Sequence, residues 1–176
     1  AGWSDAGLTH AHPVCREVSG LFAAAISRAI RSGERPDAVH AWTLALAGEK
    51  RAGHAVQAAL AAARTSAPKS FTDKQAWVLT ALQNAFYQML HASGPAQGVI
   101  DTVSRGGDSD TNGAAAGALL GAVHGFRRFP AQWIDRVLTA RPLRGLPGVN
   151  RPRPAECWPI DALHLAERLL LTGEPV

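Results

Sequence analysis

Apolar residues recur at helical spacing along most of the chain. The first such pattern follows Pro13 and ends at Ser32-Gly33, and a proline in the first turn with a glycine after the last turn is typical of a helix. Runs of Val, Ile and Thr that would favour strands are absent, and alanine and leucine are abundant. The pattern therefore predicts an all-α fold. Further helices are predicted at about 36–48, 52–64, 73–90, 95–105, 133–138 and 160–171, the last capped by Thr172-Gly173.

The segments between these patterns are predicted to be irregular. Residues 1–9 are small and polar and are expected to be a connector. Thr72-Asp73-Lys74-Gln75 resembles a capping box, which predicts that the next helix starts directly after Thr72. Prolines and glycines between 141 and 159 predict a wrapping loop, which Trp158 is expected to anchor.

A glycine-rich segment follows the polar sequence 108–111. Its glycines at 113, 117, 121 and 125 are four residues apart, so on a helix they form one slowly turning stripe. Each glycine costs about 1 kcal/mol of helix propensity relative to alanine. The stripe therefore predicts that another backbone approaches this helix closely.

Composition is that of one domain, residues 1–176, with 47% hydrophobic residues and a net charge of +4. No apolar run reaches the roughly 20 residues that span a bilayer, so no membrane partner is expected. The arginines are interleaved with proline and glycine and not with stacking aromatics, which argues against a nucleic-acid partner. Cys15 and Cys157 lie far apart without metal-ligand spacing, as suits a reducing cytoplasm.

Asp108, Asp110 and Thr111 are the strongest candidates for a chemical site. In an irregular segment before a helix, their oxygens could converge on a hard cation such as Mg²⁺, Mn²⁺ or Ca²⁺. The alternative is that one aspartate is an N-cap, supported by Thr111, which would stabilise the helix by about 1 kcal/mol. The preceding pair, Gly106-Gly107, would let backbone approach a ligand closely. Both interpretations remain open on spacing alone.

The sequence Thr9-His10-Ala11-His12 contains a second candidate. Two histidines with no third ligand nearby are weak evidence for a metal. His10 could hydrogen-bond an anionic ligand, or the histidines could cap the following helix or contact solvent.

Taken together, 106–111, Ala116-Gly117, Gly121-Ala122 and His124-Gly125 closely resemble the signature of the ADP-ribosylglycohydrolase family. The likeness extends to 8–13, to 77–87, and to Leu146-Pro147 and 165–169 near the end of the chain. The resemblance implies a compact, orthogonal all-α fold around two Mg²⁺ or Mn²⁺ ions. It also implies an enzyme that hydrolyses the N- or O-glycosyl bond between ribose C1″ and an acceptor in an ADP-ribosylated substrate.

The resemblance also implies a role for each matching residue. Asp108, Asp110 and Thr111 match metal ligands, and either aspartate could accept a proton from the attacking water. A substrate-binding role is implied for His10, Gly106, Gly107 and Ser109.

One departure from the family pattern limits these expectations. A glutamate in an early Gly-Asp segment and a Thr-Asp-Asp triplet, which supply further ligands in the family, are missing; Thr72-Asp73 is followed by Lys74. The chain therefore looks like the C-terminal half of the fold. It could be completed by an N-terminal half on a separate chain, or assemble as a homo-oligomer. Alternatively, it could be a non-catalytic ADP-ribose-binding or structural protein derived from the hydrolase scaffold.

Overall fold

The computed structural model describes residues 2–172, and within that range every regular element is a helix. The all-α prediction is confirmed. None of the described helices combines the length and the hydropathy needed to cross a membrane. The helices are α1 (Gly2–Ala6), α2 (Pro13–Ser32), α3 (Pro36–Glu49), α4 (His54–Ala62), α5 (Val78–His91), α6 (Pro95–Ser104), α7 (Ser109–His124), α8 (Ala131–Leu138) and α9 (Ala162–Thr172), with 3-10 turns at Phe126–Arg128 and Ala155–Cys157.

Backbone contacts divide the chain into two units, Ala1–Arg128 and Phe129–Val176. The first unit contains α1 to α7, and the second contains α8 and α9. The expectation of a single domain stays a prediction, and each unit is described by itself.

The core of the first unit is built from the apolar faces of α2 to α5 and α7. Helix α7 packs mainly against α5 and α6 and also contacts α2. Burial of a large aliphatic or aromatic side chain contributes about 1.5–3 kcal/mol, so these contacts fix where α7 begins. The largest fully buried apolar side chains are Leu21, Val39, Val56, Leu60, Leu82, Phe86, Met89, Leu119 and Leu120.

The glycine stripe of α7 faces α6 at its first two positions. A Cβ on Gly113 would lie 3.1 Å from Cγ2 of Val103, and one on Gly117 would lie 3.5 Å from Cγ2 of Val99. The predicted close approach of another backbone is not found at these two positions, because the neighbouring atoms within 4 Å belong to valine side chains. Gly125, with φ +89°, follows the last residue of α7.

Residues 2–6 correct the prediction of an N-terminal connector, because they form α1. The indole of Trp3 covers Gly20 of α2, where a Cβ would lie 1.9 Å from the ring carbon Cε3 of Trp3. This contact is tertiary, so the local sequence pattern could not show it.

The capping-box prediction at Thr72 is also wrong, because α5 begins at Val78 with Trp77 in the N-cap position. The Ser70 hydroxyl oxygen accepts hydrogen bonds from the main-chain N–H groups of Thr72 (3.3 Å) and Asp73 (3.1 Å). Ala76 then adopts a left-handed conformation, with φ +61°. A side chain that satisfies these N–H groups in a turn competes with helix formation.

In the second unit, Trp158 anchors the proline-rich loop as predicted. Its Nε1–H donates to the carbonyl oxygen of Arg153 at 3.0 Å, and the guanidinium of Arg141 lies 5.6 Å from the ring centroid. Helix α9 begins at Ala162, two residues after the predicted start. The predicted cap residue Gly173 lies outside the described residues.

Candidate functional site

A cleft of about 440 Å³ opens in the first unit beside the N-terminus of α7. Its walls come from α1, the 9–10 segment, α2, the 76–81 region and the first turn of α7. The polar or aromatic side chains lining it are Asp5, Thr9, His10, Cys15, Ser19, Trp77, Asp108, Thr111 and Asn112.

A glycine turn carries the chain from the end of α6 to the start of α7. Gly106 has φ +75° and Gly107 has φ +67°, a backbone region that other residues adopt only with strain. At Gly107 a Cβ would also lie 1.9 Å from the main-chain oxygen of Phe71. The glycine pair therefore allows the 71–76 segment to approach the turn that aims Asp108.

Asp108 occupies the N-cap position of α7, but its side chain makes no capping hydrogen bond. Its carbonyl oxygen accepts from the Asn112 N–H at 3.0 Å, which is the first helical bond. The Asp108 carboxylate is therefore not used in capping and lines the cleft instead. The sequence left two interpretations open, a metal ligand and an N-cap. In this structure the Asp108 side chain does not form the capping hydrogen bond.

Asp110 lies in the first turn of α7, with its carboxyl group close to that of Asp108. The pKa of Asp110 is lowered, chiefly by a side-chain hydrogen bond with Asp108 and next by the main-chain N–H groups of Thr111 and Asp110 itself. The pair thus concentrates acceptor oxygens at the positive end of the helix dipole.

The oxygen atoms of Asp108, Asp110 and Thr111 suit a divalent cation in kind but not in number. Two carboxylates and the Thr111 hydroxyl form an oxygen-only set, which in kind suits Mg²⁺ or Mn²⁺. Over residues 2–172, no group of three or more His, Cys, Asp or Glu side chains could hold a metal ion. Asp108, Asp110 and Thr111 would together provide fewer oxygens than the octahedral shell of Mg²⁺ requires.

The two histidines of the 9–12 segment have different environments. His10 is exposed, its Nδ1 lies 2.9 Å from the Thr9 hydroxyl, and it lines the cleft with Asp108. His12 caps α2: its Nδ1 accepts from the Val14 N–H at 3.3 Å. Its ring lies edge-on to Trp77, with centroids 5.7 Å apart.

The structure thus brings three of the sequence-predicted residues, His10, Asp108 and Thr111, to one cleft. The described residues that line this cleft do not include the other candidates, which are Gly106, Gly107, Ser109 and Asp110.

Asp5 and Trp77 are among the residues of the cleft wall that sequence reasoning missed. Asp5 was assigned to the predicted connector, and Trp77 was assigned to the apolar face of a helix. Both line the cleft. Trp77 is only half-buried and precedes α5, so it belongs to the turn and not to the core. The only local signal for Asp5 was its position as an acidic residue shortly before the Thr9-His10 segment.

Comparison with known proteins places the sequence of this chain in a family. The sequence model of the ADP-ribosylglycohydrolase family matches residues 1–169. A protein of Acanthamoeba polyphaga mimivirus that is named as an ADP-ribosyl glycohydrolase is 46% identical over 43 residues, which is 24% of this chain and 13% of the relative. The ADP-ribosyl-(dinitrogen reductase) glycohydrolase of Rhodospirillum rubrum is 46% identical over 39 residues, 22% of this chain and 13% of that enzyme.

The aligned segments thus span only 13% of the length of each of these relatives. No solved structure matches the chain. The family match, by contrast, extends over nearly every described residue, including the cleft and the whole of α7. The chain belongs to the ADP-ribosylglycohydrolase family.

Proposed function

We propose that this chain forms the cleft of an ADP-ribosyl hydrolase, which removes ADP-ribose from a modified acceptor by hydrolysis at ribose C1″. The observation that carries the proposal is the convergence of His10, Asp108 and Thr111 on one cleft, in a chain whose family match covers residues 1–169. The acceptor bond is N- or O-glycosyl, to arginine, serine or another side chain. The reducing cytoplasm is the proposed location, which two free cysteines, Cys15 and Cys157, support.

Asp108, Asp110 and Thr111 would hold Mg²⁺ or Mn²⁺, with a binuclear centre in the complete fold. When bound, the metal supplies Lewis acidity toward the ribose hydroxyls and a water molecule. The lowered pKa of Asp110 keeps its carboxyl ionised at neutral pH, which supports a role as ligand. Either aspartate could take the proton that the attacking water loses.

Substrate contacts are proposed for the rim of the same cleft and for the turn behind it. His10 is exposed at the rim and can donate a hydrogen bond to an anionic group of ADP-ribose. Gly106, Gly107 and Ser109 lie where α6 gives way to the N-terminus of α7, and main-chain N–H groups in such a place favour phosphate.

The remaining metal ligands are proposed to come from a segment outside the described residues. Support comes from the donor count, because two carboxylates and one hydroxyl fall short of the oxygen shell that Mg²⁺ requires. An N-terminal half of the fold on a separate chain would complete the site. Assembly of this chain as a homo-oligomer is the other way to supply them.

The test is release of ADP-ribose from ADP-ribosylated arginine and serine peptides, measured by chromatography with Mg²⁺, with Mn²⁺ and with EDTA. The chain is assayed alone and with an N-terminal half of a family member added. We expect metal-dependent release that Asp110→Ala abolishes. Asp37→Ala is the matched control, because Asp37 is also a carboxylate in the first turn of a helix but lies in α3.

The outcomes separate the candidate functions. Release that EDTA and Asp110→Ala both leave unchanged would contradict the metal site. If the completed protein binds ADP-ribose in calorimetry without releasing any from the peptides, the chain is a non-catalytic binding protein and the hydrolase proposal is wrong.

A further inference from the structure

A chain of hydrogen-bonded polar side chains crosses the interface between α5 and α6. Asn84 and Gln88 of α5 and Thr102 of α6 are buried. The Asn84 amide donates to the Thr102 hydroxyl at 2.9 Å, and Gln88 Nε2 donates to the Asn84 Oδ1 at 3.4 Å and to the Asp101 carboxylate. Buried polar groups that are mutually satisfied hold their elements in one relative register.

Arg105 extends this chain to the surface at the end of α6. Its Nε donates to Asp101 Oδ2 at 2.8 Å and its Nη2 to Oδ1 at 3.3 Å, a bidentate pair. The same guanidinium lies 5.5 Å from the ring centroid of Phe71. Arg105 therefore joins α6 to the 71–76 segment that precedes α5.

Phe71 is in turn the residue whose main-chain oxygen abuts Gly107. Its side chain is buried, so its backbone has a fixed position. Arg105 directly precedes the Gly106-Gly107 turn. Asp101 holds the guanidinium of Arg105, and the main-chain oxygen of Phe71 packs against Gly107 of the turn.

We infer that Arg105, paired with Asp101 and stacked on Phe71, is a positioning residue that fixes the Gly106-Gly107 turn and thereby aims the carboxylates of Asp108 and Asp110. The inference rests on the proposed function, since it gives the turn a role in holding the metal ligands. It adds a residue that is not among those lining the cleft.

The geometry favours positioning over simple stabilisation. The side chains of Arg105 and Asp101 are 33% and 38% exposed, and ion pairs with that much solvent contribute little to the free energy of unfolding. The planar guanidinium instead fixes an orientation. Its two N–H groups meet the Asp101 carboxylate in one geometry, and its face lies over the Phe71 ring. A shift of this group would move the turn more than it would weaken the core.

The experiment compares Arg105→Met and Arg105→Lys with the unchanged chain, each with an N-terminal half of a family member added to supply the remaining ligands. Mn²⁺ binding is measured by calorimetry and electron paramagnetic resonance, hydrogen exchange is followed for the amides of 106–112, and Tm is recorded. For Arg105→Met we expect an affinity for Mn²⁺ about 10-fold lower, as is common when a group supporting a metal ligand is removed, with faster exchange confined to 106–112. Arg105→Lys keeps the charge but not the fork, so it should restore only part of the affinity.

The chain offers a matched control in Arg28. This arginine also pairs with a carboxylate, that of Glu34, and its guanidinium lies 5.4 Å from the Trp42 ring centroid. Arg28→Met removes the same chemistry on α2, so it should leave Mn²⁺ affinity and the exchange of 106–112 unchanged.

Asp110→Ala separates failure of the inference from failure of the proposed function. If Asp110→Ala leaves Mn²⁺ binding unchanged, the proposed metal site is wrong, and exchange at 106–112 alone then decides whether Arg105 positions the turn. Unchanged exchange in Arg105→Met, whatever its Tm, overturns the inference. So does unchanged Mn²⁺ affinity in Arg105→Met when Asp110→Ala weakens binding.

Discussion

The main-chain oxygen of Phe71 lies 1.9 Å from the point where a Cβ on Gly107 would stand. A side chain fits there only if the backbone of the 71–76 segment or of the glycine turn moves, because the contacting atoms belong to the main chain. Gly107 also has φ +67°, where a non-glycine residue is strained by about 1–2 kcal/mol. We expect Gly107→Ala to lower the free energy of unfolding by more than this strain alone, as measured by urea denaturation.

The neighbouring glycine provides the control for that substitution. Gly106 has a similar φ of +75°, but a Cβ there would meet nothing within 4 Å. Gly106→Ala should therefore show the backbone strain without the clash with Phe71. Equal losses of stability in the two variants would contradict a close approach at Gly107.

Replacing a helical glycine by alanine is expected to have opposite effects on stability at Gly20 and at Gly48. A Cβ on Gly20 would lie 1.9 Å from the Trp3 ring and so would displace α1, whereas one on Gly48 of α3 would meet nothing within 4 Å. We expect Gly20→Ala to destabilise the protein by about 1–3 kcal/mol through overpacking. Gly48→Ala should stabilise it by up to about 1 kcal/mol through helix propensity.

Urea denaturation followed by circular dichroism measures both glycine variants. Because α1 also lines the cleft, Gly20→Ala should in addition weaken the proposed binding of ADP-ribose. Stabilisation by Gly20→Ala would mean that Trp3 does not rest on α2.

Asp101 makes stability depend on pH. Its pKa is lowered, first by the hydrogen bond from Arg105 and also by the bond from Gln88, so the unfolded state binds a proton more readily than the folded state. Stability from this group is therefore fully present above the ordinary carboxyl pKa of 3.8 and is lost as pH falls through the lower, folded-state value.

Asp101→Asn tests this dependence by denaturation at a series of pH values. The variant should be slightly less stable than the unchanged chain at pH 7, by no more than about 1 kcal/mol because the ion pair is partly exposed, and the difference should shrink once the pH is below 3.8. Asp73→Asn, at an exposed carboxylate of the 71–76 turn, is the control. A difference that stays constant down to acid pH would show that Asp101 does not contribute through its charge.

The helix ends that local chemistry determines were predictable from the sequence. Pro13, Pro36 and Pro95 begin α2, α3 and α6, because proline in a first turn sacrifices no helical hydrogen bond. Gly33 ends α2 in a left-handed conformation that glycine adopts without strain. These signals depend only on neighbours in the chain.

Features set by distant residues were not predictable in this way. Helix α1 depends on the contact of Trp3 with Gly20 of α2. His40 carried no usable signal, yet it is buried and its Nε2 lies 2.8 Å from the Leu60 carbonyl oxygen near the end of α4. Each of these contacts joins parts of the chain whose proximity the local pattern does not encode.

Some residues of the candidate site were predictable from the local sequence, and others depend on tertiary packing. Asp108 and Thr111 belong to one short segment whose composition suggested oxygen ligands, and the structure places both in the cleft. Trp77 and Asp5 reach the same cleft from helices and turns far away in sequence. Their place could be known only after the packing of α1, α5 and α7 was known.

Because Trp77 lines the cleft, its intrinsic fluorescence can report on what binds there. Its indole lines the cavity and meets His12 edge-on, so a ligand that enters will change both the polarity and the contacts of that ring. The chain contains five tryptophans, and the spectrum of a Trp77→Phe variant subtracted from that of the unchanged chain isolates this one. Occupancy of the cleft can therefore be followed by intrinsic fluorescence, without a label and whether or not any bond is hydrolysed.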